Sequence, residues 1–330
     1  MMRAISASKI DSLGDYAEVQ IAVPEPAAGQ VRIRVAAVSI GYVDALLALG
    51  RYQVKPPLPH IPGGEIAGTV DALGAGVTHL AVGDRVLVMT ARGFADFALA
   101  AAAACRKLPE NIGFAAASAM PLNYLTALHG LADRGGLKAG ETLLVLGAAG
   151  GVGTAAVQVG KTLGARVIAA ASTPEKRDFA LAQGADLVID TEVENWRERL
   201  KPLLGSKPLD MVFDPVCGPL FEAAFRSLGW GGRHLVIGFV GGPIPKLPAS
   251  LTLMKGAGLI GVDVRQFGLF EPVKLAAHLD TLTAWLGDGR IAAPVGRVFD
   301  WGDFGAALEH AFGGQAVGKT VFAVTAAGRG

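Results

Sequence analysis

The stretch Leu143-Leu144-Val145-Leu146-Gly147-Ala148-Ala149-Gly150-Gly151-Val152-Gly153 carries the strongest chemical signal in this sequence. Four apolar residues run into a glycine-dense turn, and Val152 to Leu163 then reads as a helix without proline. Strand, tight turn and helix together bring bare backbone up to a pyrophosphate, which rests on the unpaired N–H groups and positive dipole end of the helix. The glycine register reads either as Ala148-x-Gly150-x-x-Gly153 or as Gly147-x-x-Gly150-x-x-Gly153. The flanking strand and helix give the pattern its weight.

The end of the next strand bears on which dinucleotide fits. An NAD site places an Asp or Glu about 20 residues past the glycines to take the ribose 2′-hydroxyl. Here that strand ends Ala169-Ala170-Ala171-Ser172-Thr173, with no acid, and Lys176 and Arg177 follow in the first turn of a helix. A 2′-phosphate needs cations and hydroxyls, and a carboxylate would repel it. The sequence therefore predicts NADPH over NADH, with Glu175 as the one residue against it.

The elements that must position these residues fall into distinct rhythms. Up to about residue 113 the chain reads as mostly β. Val31–Val35 alternates apolar and polar residues, and Ile66–Ala72, Arg85–Thr90 and Phe94–Leu99 are further short strands between glycine turns. A short helix is predicted over Tyr42–Leu49. From Phe114 the pattern becomes strand alternating with helix. It starts with a helix over Phe114–Leu131 and continues through strands at Leu143–Leu146, Arg166–Ala171, Leu187–Ile189, Asp210–Phe213, His234–Gly238 and Leu259–Val264. Helices are predicted at Pro174–Gln183, Val193–Leu204 and Leu220–Leu228. Alternation of this kind implies a parallel sheet with right-handed crossovers, and six strands complete a dinucleotide-binding (Rossmann) sheet. A helix over Pro272–Gly287 and a strand over Thr320–Val324 finish the chain.

Composition bounds the alternatives. The 330 residues are 51% hydrophobic with a net charge of +1, enough for two domains and without a global attraction for nucleic acid or anionic membrane. No apolar run approaches the roughly 18 residues needed to span a bilayer, and the first residues lack the uninterrupted apolar core of a signal peptide. With only Cys105 and Cys217, a disulfide framework or cysteine-rich zinc site is not available, and a cytoplasmic location is expected. No Tyr-x-x-x-Lys pair follows the glycine turn, which disfavours a short-chain dehydrogenase.

Read together, Tyr42-Val43-Asp44, Pro62-Gly63-Gly64-Glu65-Ile66-Ala67-Gly68, Val82-Gly83-Asp84-Arg85-Val86, Tyr124-Leu125-Thr126-Ala127-Leu128-His129, the glycine turn, Gly184-Ala185-Asp186, Asp214-Pro215-Val216 and Gly318-Lys319 resemble the medium-chain dehydrogenase/reductase superfamily over essentially the whole chain. Within it the sequence is similar to the zinc-free NADPH:quinone oxidoreductases of the zeta-crystallin type. The resemblance implies an α/β fold: a GroES-like catalytic domain over 1–116, an NADPH-binding Rossmann domain over 117–266, and a C-terminal return over 267–330 that completes the catalytic domain. The zinc-dependent relatives place a Cys and a His where this chain has Gly41 and Gly64, neither of which can ligate. His60 and His129 lie nearby in sequence and read as structural.

Carried over residue by residue, the resemblance implies Thr126 near the nicotinamide and Ala149, Gly150, Gly151 and Val152 at the pyrophosphate. It implies Ser172 and Lys176 at the 2′-phosphate, and Gly238 and Phe239 in a loop lining the cofactor. Tyr52 matches an active-site tyrosine. The chain departs from the family at Gly41 (often Asn), Leu46 (a second tyrosine in some members) and Thr191. Without a metal, catalysis rests on positioning the acceptor over the nicotinamide between the domains. Tyr52 is the candidate for polarising the acceptor oxygen or relaying a proton, with a pocket-wall role as the alternative. Asp44 is the candidate for orienting its neighbours or the cofactor, with a helix-turn role as the alternative. Tyr124, Met89 and Phe94 are candidates for an apolar pocket suited to flat acceptors, with a place in the core as the alternative for each. The expected reaction is reduction of a quinone. Reduction of an activated C=C bond in an enal, enone or acryloyl-type thioester is the first alternative, and nucleotide binding with little turnover is the second. A homodimer through the Leu259–Val264 strand is expected.

Overall fold

The computed structural model describes residues 1–313 and 316–329. The chain divides into two compact units, Met1–Leu122 with Leu279–Gly330, and Asn123–His278. The chain crosses between them inside the helices Pro121–Leu128 and Pro272–Gly287, whereas the bounds implied by the resemblance lie at 116/117 and 266/267. Among the described residues no helix is long and apolar enough to cross a membrane.

The first unit opens with an antiparallel pair, β1 (Met2–Ser6) and β2 (Ala17–Ile21). It continues through β3 (Gln30–Ile40), the helix Tyr42–Ala48, β4 (Glu65–Leu73), β5 (Arg85–Met89), β6 (Phe97–Ala101) and β7 (Arg106–Lys107). Bulges between Arg32 and Ile33 and between Val35 and Ala37 bend β3 against β4. The two backbones are so close at Gly68 that a Cβ there would lie 2.1 Å from the Arg34 carbonyl oxygen.

The second unit is a six-stranded parallel sheet: β8 (Thr142–Leu146), β9 (Arg166–Ala170), β10 (Leu187–Ile189), β11 (Met211–Asp214), β12 (Arg233–Val236) and β13 (Gly258–Gly261). Its spatial order is β10-β9-β8-β11-β12-β13, the doubly wound order of a complete dinucleotide-binding sheet. Every residue of β8 is buried, as a central parallel strand covered on both faces requires. The chain then returns to the first unit through β14 (Val295–Asp300), the helix Phe304–Phe312 and β15 (Lys319–Ala323), completing the sheet order β14-β15-β3-β4-β5-β7.

Differences from the sequence reading have local causes. The single helix expected over Phe114–Leu131 is two helices, Phe114–Ala119 and Pro121–Leu128, followed by a π-helical turn over His129–Arg134. Pro121 has no N–H to continue the first helix. The strand expected over Phe94–Leu99 begins at Phe97: the Phe94 N–H donates to the Pro62 carbonyl and the Phe94 carbonyl accepts the Ile5 N–H instead of pairing with β3, and its ring stacks on Phe322 at 4.4 Å. The last strand of the parallel sheet stops at Gly261, and Asp263 caps a separate helix, Val264–Phe270, through hydrogen bonds from the Arg265 and Gln266 N–H groups. The β1–β2 pair, helices Ala249–Lys255 and Phe304–Phe312, and β14 are not among the elements expected from the sequence.

Candidate functional site

The glycine turn joins β8 to the helix Gly151–Thr162 at the carboxyl edge of the parallel sheet, beside the point where the strand order reverses between β8 and β11. Gly147 has a φ of 61°, the left-handed region. The Gly150 N–H donates to its carbonyl at 3.1 Å, closing the turn. Each later glycine meets a different constraint. A Cβ at Gly153 would lie 2.1 Å from the Gly147 oxygen, so the helix can pack on the turn only without one. A Cβ at Gly151 would lie 2.5 Å from the Asn123 amide nitrogen. At Gly150, by contrast, a Cβ meets only the Gly147 oxygen at 3.5 Å, an ordinary contact. The geometry singles out Gly153, which both sequence registers share, as the glycine that helix packing demands. The turn thus presents the first N–H groups of a twelve-residue helix with little side chain in front of them.

β9 ends beside this turn in parallel register with β8, and Ser172 and Thr173 are exposed just beyond it. Thr173 caps the helix Pro174–Ala182, its hydroxyl accepting the Lys176 N–H at 3.3 Å. The structure separates the two basic residues that the sequence treated as a pair. The Arg177 guanidinium turns back and donates to the carbonyls of Ala171 and Ser172 at 3.1 and 3.4 Å, bracing the loop. Lys176 is half-buried one position earlier.

Two further segments reach the same sheet edge. Pro215 and Val216 follow β11, and Val216 would lie 2.9 Å from a Cβ at Gly147. Gly238 and Phe239 follow β12; Phe239 is 47% exposed, and a Cβ at Gly238 would approach the Pro215 carbonyl to 3.1 Å. Ala149 is buried, Gly150, Gly151 and Val152 are half-buried, and Thr126 is buried on the helix Pro121–Leu128. Asn123 on that helix, against Gly151, was not foreseen; only its contact marks it.

In the first unit, Asp44 lies in the first turn of the helix Tyr42–Ala48, and its Oδ2 accepts the Gly41 N–H at 2.8 Å. Lys319, at the start of β15, reaches the same place. Its Nζ donates to Glu65 Oε2 at 2.6 Å, and both side chains are almost wholly buried. Glu65 Oε1 accepts the Leu122 N–H at 2.8 Å. Burial pushes the Asp44 carboxyl up to about 6 against the opposing pull of Lys319, and the Glu65 charge and the Gly41 and Gly64 N–H groups act after these. Sequence reasoning proposed Asp44 alone. Glu65 and Lys319 appeared only inside motifs, with nothing local to say that they meet. A metal does not fit here: Gly41 and Gly64 offer no donor, and a Cβ at Gly41 would lie 3.3 Å from the Lys319 ammonium, a resident cation that would repel a second.

Other candidates are placed elsewhere. Tyr52 is half-buried in the non-helical stretch 51–59, most of which is exposed. Phe94 and Tyr124 are not pocket walls: Phe94 is fully buried core, and the Tyr124 hydroxyl donates to Gln158 at 2.8 Å in the interior. Met89, at the end of β5, is half-buried. His60 pairs with the Tyr16 hydroxyl at 2.6 Å, and His129 pairs with Asp133 at 2.8 Å, so both are structural.

Two family models match the chain: the alcohol dehydrogenase GroES-like domain over residues 27–139 and the zinc-binding dehydrogenase over residues 151–278. Quinone oxidoreductase-like protein 2 of Rattus norvegicus is 32% identical, covering 93% of this chain and 88% of its own. Among solved structures, the Escherichia coli quinone oxidoreductase complexed with NADPH superposes with a TM-score of 0.86 at 26% identity, over 97% of this chain and 99% of that one. The CurK enoyl reductase superposes with a TM-score of 0.88 at 25% identity, over 98% of this chain and 99% of that one.

Proposed function

Because the chain belongs to the zinc-free quinone oxidoreductase family of medium-chain dehydrogenases/reductases, and is an oxidoreductase of that type, we propose that it uses NADPH to reduce a quinone by hydride transfer, without zinc. The observation that carries this reading is the acid-free end of β9, with Ser172 and Lys176 set beside a glycine cradle at the sheet's switch point. When bound, NADPH supplies a hydride from its nicotinamide ring. The chain's part is to hold and orient. The N–H groups at the start of the helix Gly151–Thr162 would take the pyrophosphate, and Ser172 and Lys176 the 2′-phosphate. Thr126, Gly238 and Phe239 would flank the rest of the nucleotide. Tyr52 is the residue proposed to face the acceptor in the first unit.

Names of relatives support the reading: two structural neighbours were solved with NADPH, and several relatives are named quinone oxidoreductase or quinone oxidoreductase-like. The enoyl reductase neighbour keeps reduction of an activated C=C bond as the second reading. Steady-state oxidation of NADPH and of NADH, each against a quinone panel and an enone panel, tests both. Faster NADPH oxidation with quinones supports the first reading, and turnover of enones alone replaces it. We also propose a cytoplasmic homodimer paired through β13, an edge strand on which Leu259 is 42% exposed. Light scattering that finds only monomer at micromolar concentration removes the dimer.

A further inference from the structure

Asp214, the last residue of β11, and His234, on the neighbouring β12, are both fully buried, with Asp214 Oδ2 and His234 Nε2 3.0 Å apart. Asp214 Oδ1 serves the loop beyond the strand. It accepts the N–H groups of Val216 and Cys217 at 2.9 and 2.7 Å. These two bonds hold a backbone under strain: the buried Cys217 has a φ of 46°, the left-handed region that a side chain disfavours.

Held in this way, the loop touches both segments proposed to meet the nucleotide. Val216 lies 2.9 Å from where a Cβ at Gly147 would stand, so it rests on the glycine turn. The Val216 carbonyl accepts the Gly241 N–H at 2.8 Å, and the Asp214 carbonyl accepts the Ile237 N–H at 3.0 Å. These bonds bracket the Gly238–Phe239 segment from either side. A single side chain, Asp214, therefore governs how the glycine turn and the segment after β12 are spaced.

Packing alone does not call for histidine at 234. Its ring centre lies 4.7 Å from that of Phe221 and 6.1 Å from that of Phe225, and its Nδ1 is buried without a hydrogen-bond partner among the described residues. A phenylalanine would suit these neighbours and leave no nitrogen unpartnered, which is costly in an interior. What histidine adds is a donor for the one Asp214 oxygen that the loop does not use.

We propose that Asp214 and His234 are positioning residues for nucleotide binding. The Nε2–H of His234 aims the Asp214 carboxyl, Asp214 holds the strained Val216–Cys217 backbone, and the nucleotide edge is thereby assembled before the nucleotide arrives. The proposal rests on the nucleotide reading above. NADPH and NADH share the pyrophosphate and differ only at the 2′ position, so the pair acts on both alike.

Calorimetry of the full chain with NADPH and with NADH tests this. His234→Phe keeps a ring and removes the donor. If the loop then holds its arrangement a tenth of the time, affinity falls about tenfold, by the same factor for both nucleotides. His234→Gln, whose amide nitrogen can stand where Nε2 stands, should bind both like the wild type. Leu200→Ala, a core truncation on the helix Trp196–Leu204, is the control and should lose stability in denaturant without losing affinity. Affinity that follows stability across the three variants, a loss confined to NADPH, or unchanged binding in His234→Phe overturns this proposal alone. Nitrogen-15 NMR of labelled histidine in the wild type should find a hydrogen on His234 Nε2, and its absence overturns the proposal even where His234→Phe does not fold. A wild-type protein that binds neither nucleotide overturns the nucleotide reading, and this one with it.

Discussion

The two units hold charge by different means. In the parallel-sheet unit, the proposed anion site is backbone: Gly147 closes the turn, Gly153 lets the helix pack on it, and the N–H groups of residues 151–153 precede the first intrahelical bond, from the Thr154 N–H to the Gly150 carbonyl. No ionised side chain has to be buried within the turn to build it, because the helix dipole and N–H groups are part of the fold. In the other unit, Asp44, Glu65 and Lys319 bring full charges from the end of one helix and the starts of two strands into a largely dry interior. Such a cluster is held by mutual compensation, and removing one member leaves the others exposed to the full penalty of burial. The backbone site should therefore tolerate changes that leave its path intact, and the side-chain site should not.

The largest expected effect follows from breaking that compensation. Lys319→Met leaves Glu65 buried and unpaired and should destabilise the protein by about 3–5 kcal/mol, read by denaturant unfolding. A loss well below this would mean that Glu65 finds water or a second donor. In the backbone site, Gly153→Ala forces a Cβ to within 2.1 Å of a carbonyl and should lower stability by about 1–3 kcal/mol or more. Gly150→Ala has room, so it should fold normally and lose only nucleotide affinity in calorimetry. Equal stability losses in the two glycine variants would erase the distinction between packing glycine and ligand-facing glycine.

A third contrast is in pH. The Asp44 carboxyl is raised in the folded protein, so its contribution to stability is greatest below about 4 and is lost as pH rises through about 6. Asp44→Asn removes that dependence. Relative to the wild type, the variant should gain on the order of 2 kcal/mol between pH 4 and pH 7, measured by unfolding at both. The smallest effect belongs to the half-buried Lys176, beyond the end of β9. Lys176→Ala should weaken NADPH binding about tenfold, leave NADH binding unchanged, and alter stability by less than about 0.5 kcal/mol. A variant that loses both nucleotides equally would place Lys176 away from the 2′-phosphate.

The parallel-sheet unit was legible because its signals are local. Leu143–Leu146 is a continuous apolar run, the glycines follow at fixed spacing, and Ala169–Thr173 lacks an acid within a short window. Periodicity and turn chemistry act over a few residues, so they can be read from a few residues. The helix break at Pro121 was equally local and was passed over, since the apolar pattern continues across it. The early inward turn of Phe94 is a different case. Its partner Phe322 is more than two hundred residues away, and no window contains both.

What the sequence determined by itself is the succession of the six parallel strands, the position of the glycine turn, and the absence of donor atoms at Gly41 and Gly64. Each of these depends on residue type and near spacing, which the chain states directly. The tertiary structure alone decided that Lys319 meets Glu65 beside Asp44, that Arg177 braces a loop while Lys176 does not, and that Gly153 rather than Gly150 is the packing glycine. Those outcomes depend on which backbones approach one another, and approach is set by the packing of whole sheets and helices rather than by any segment's own preference.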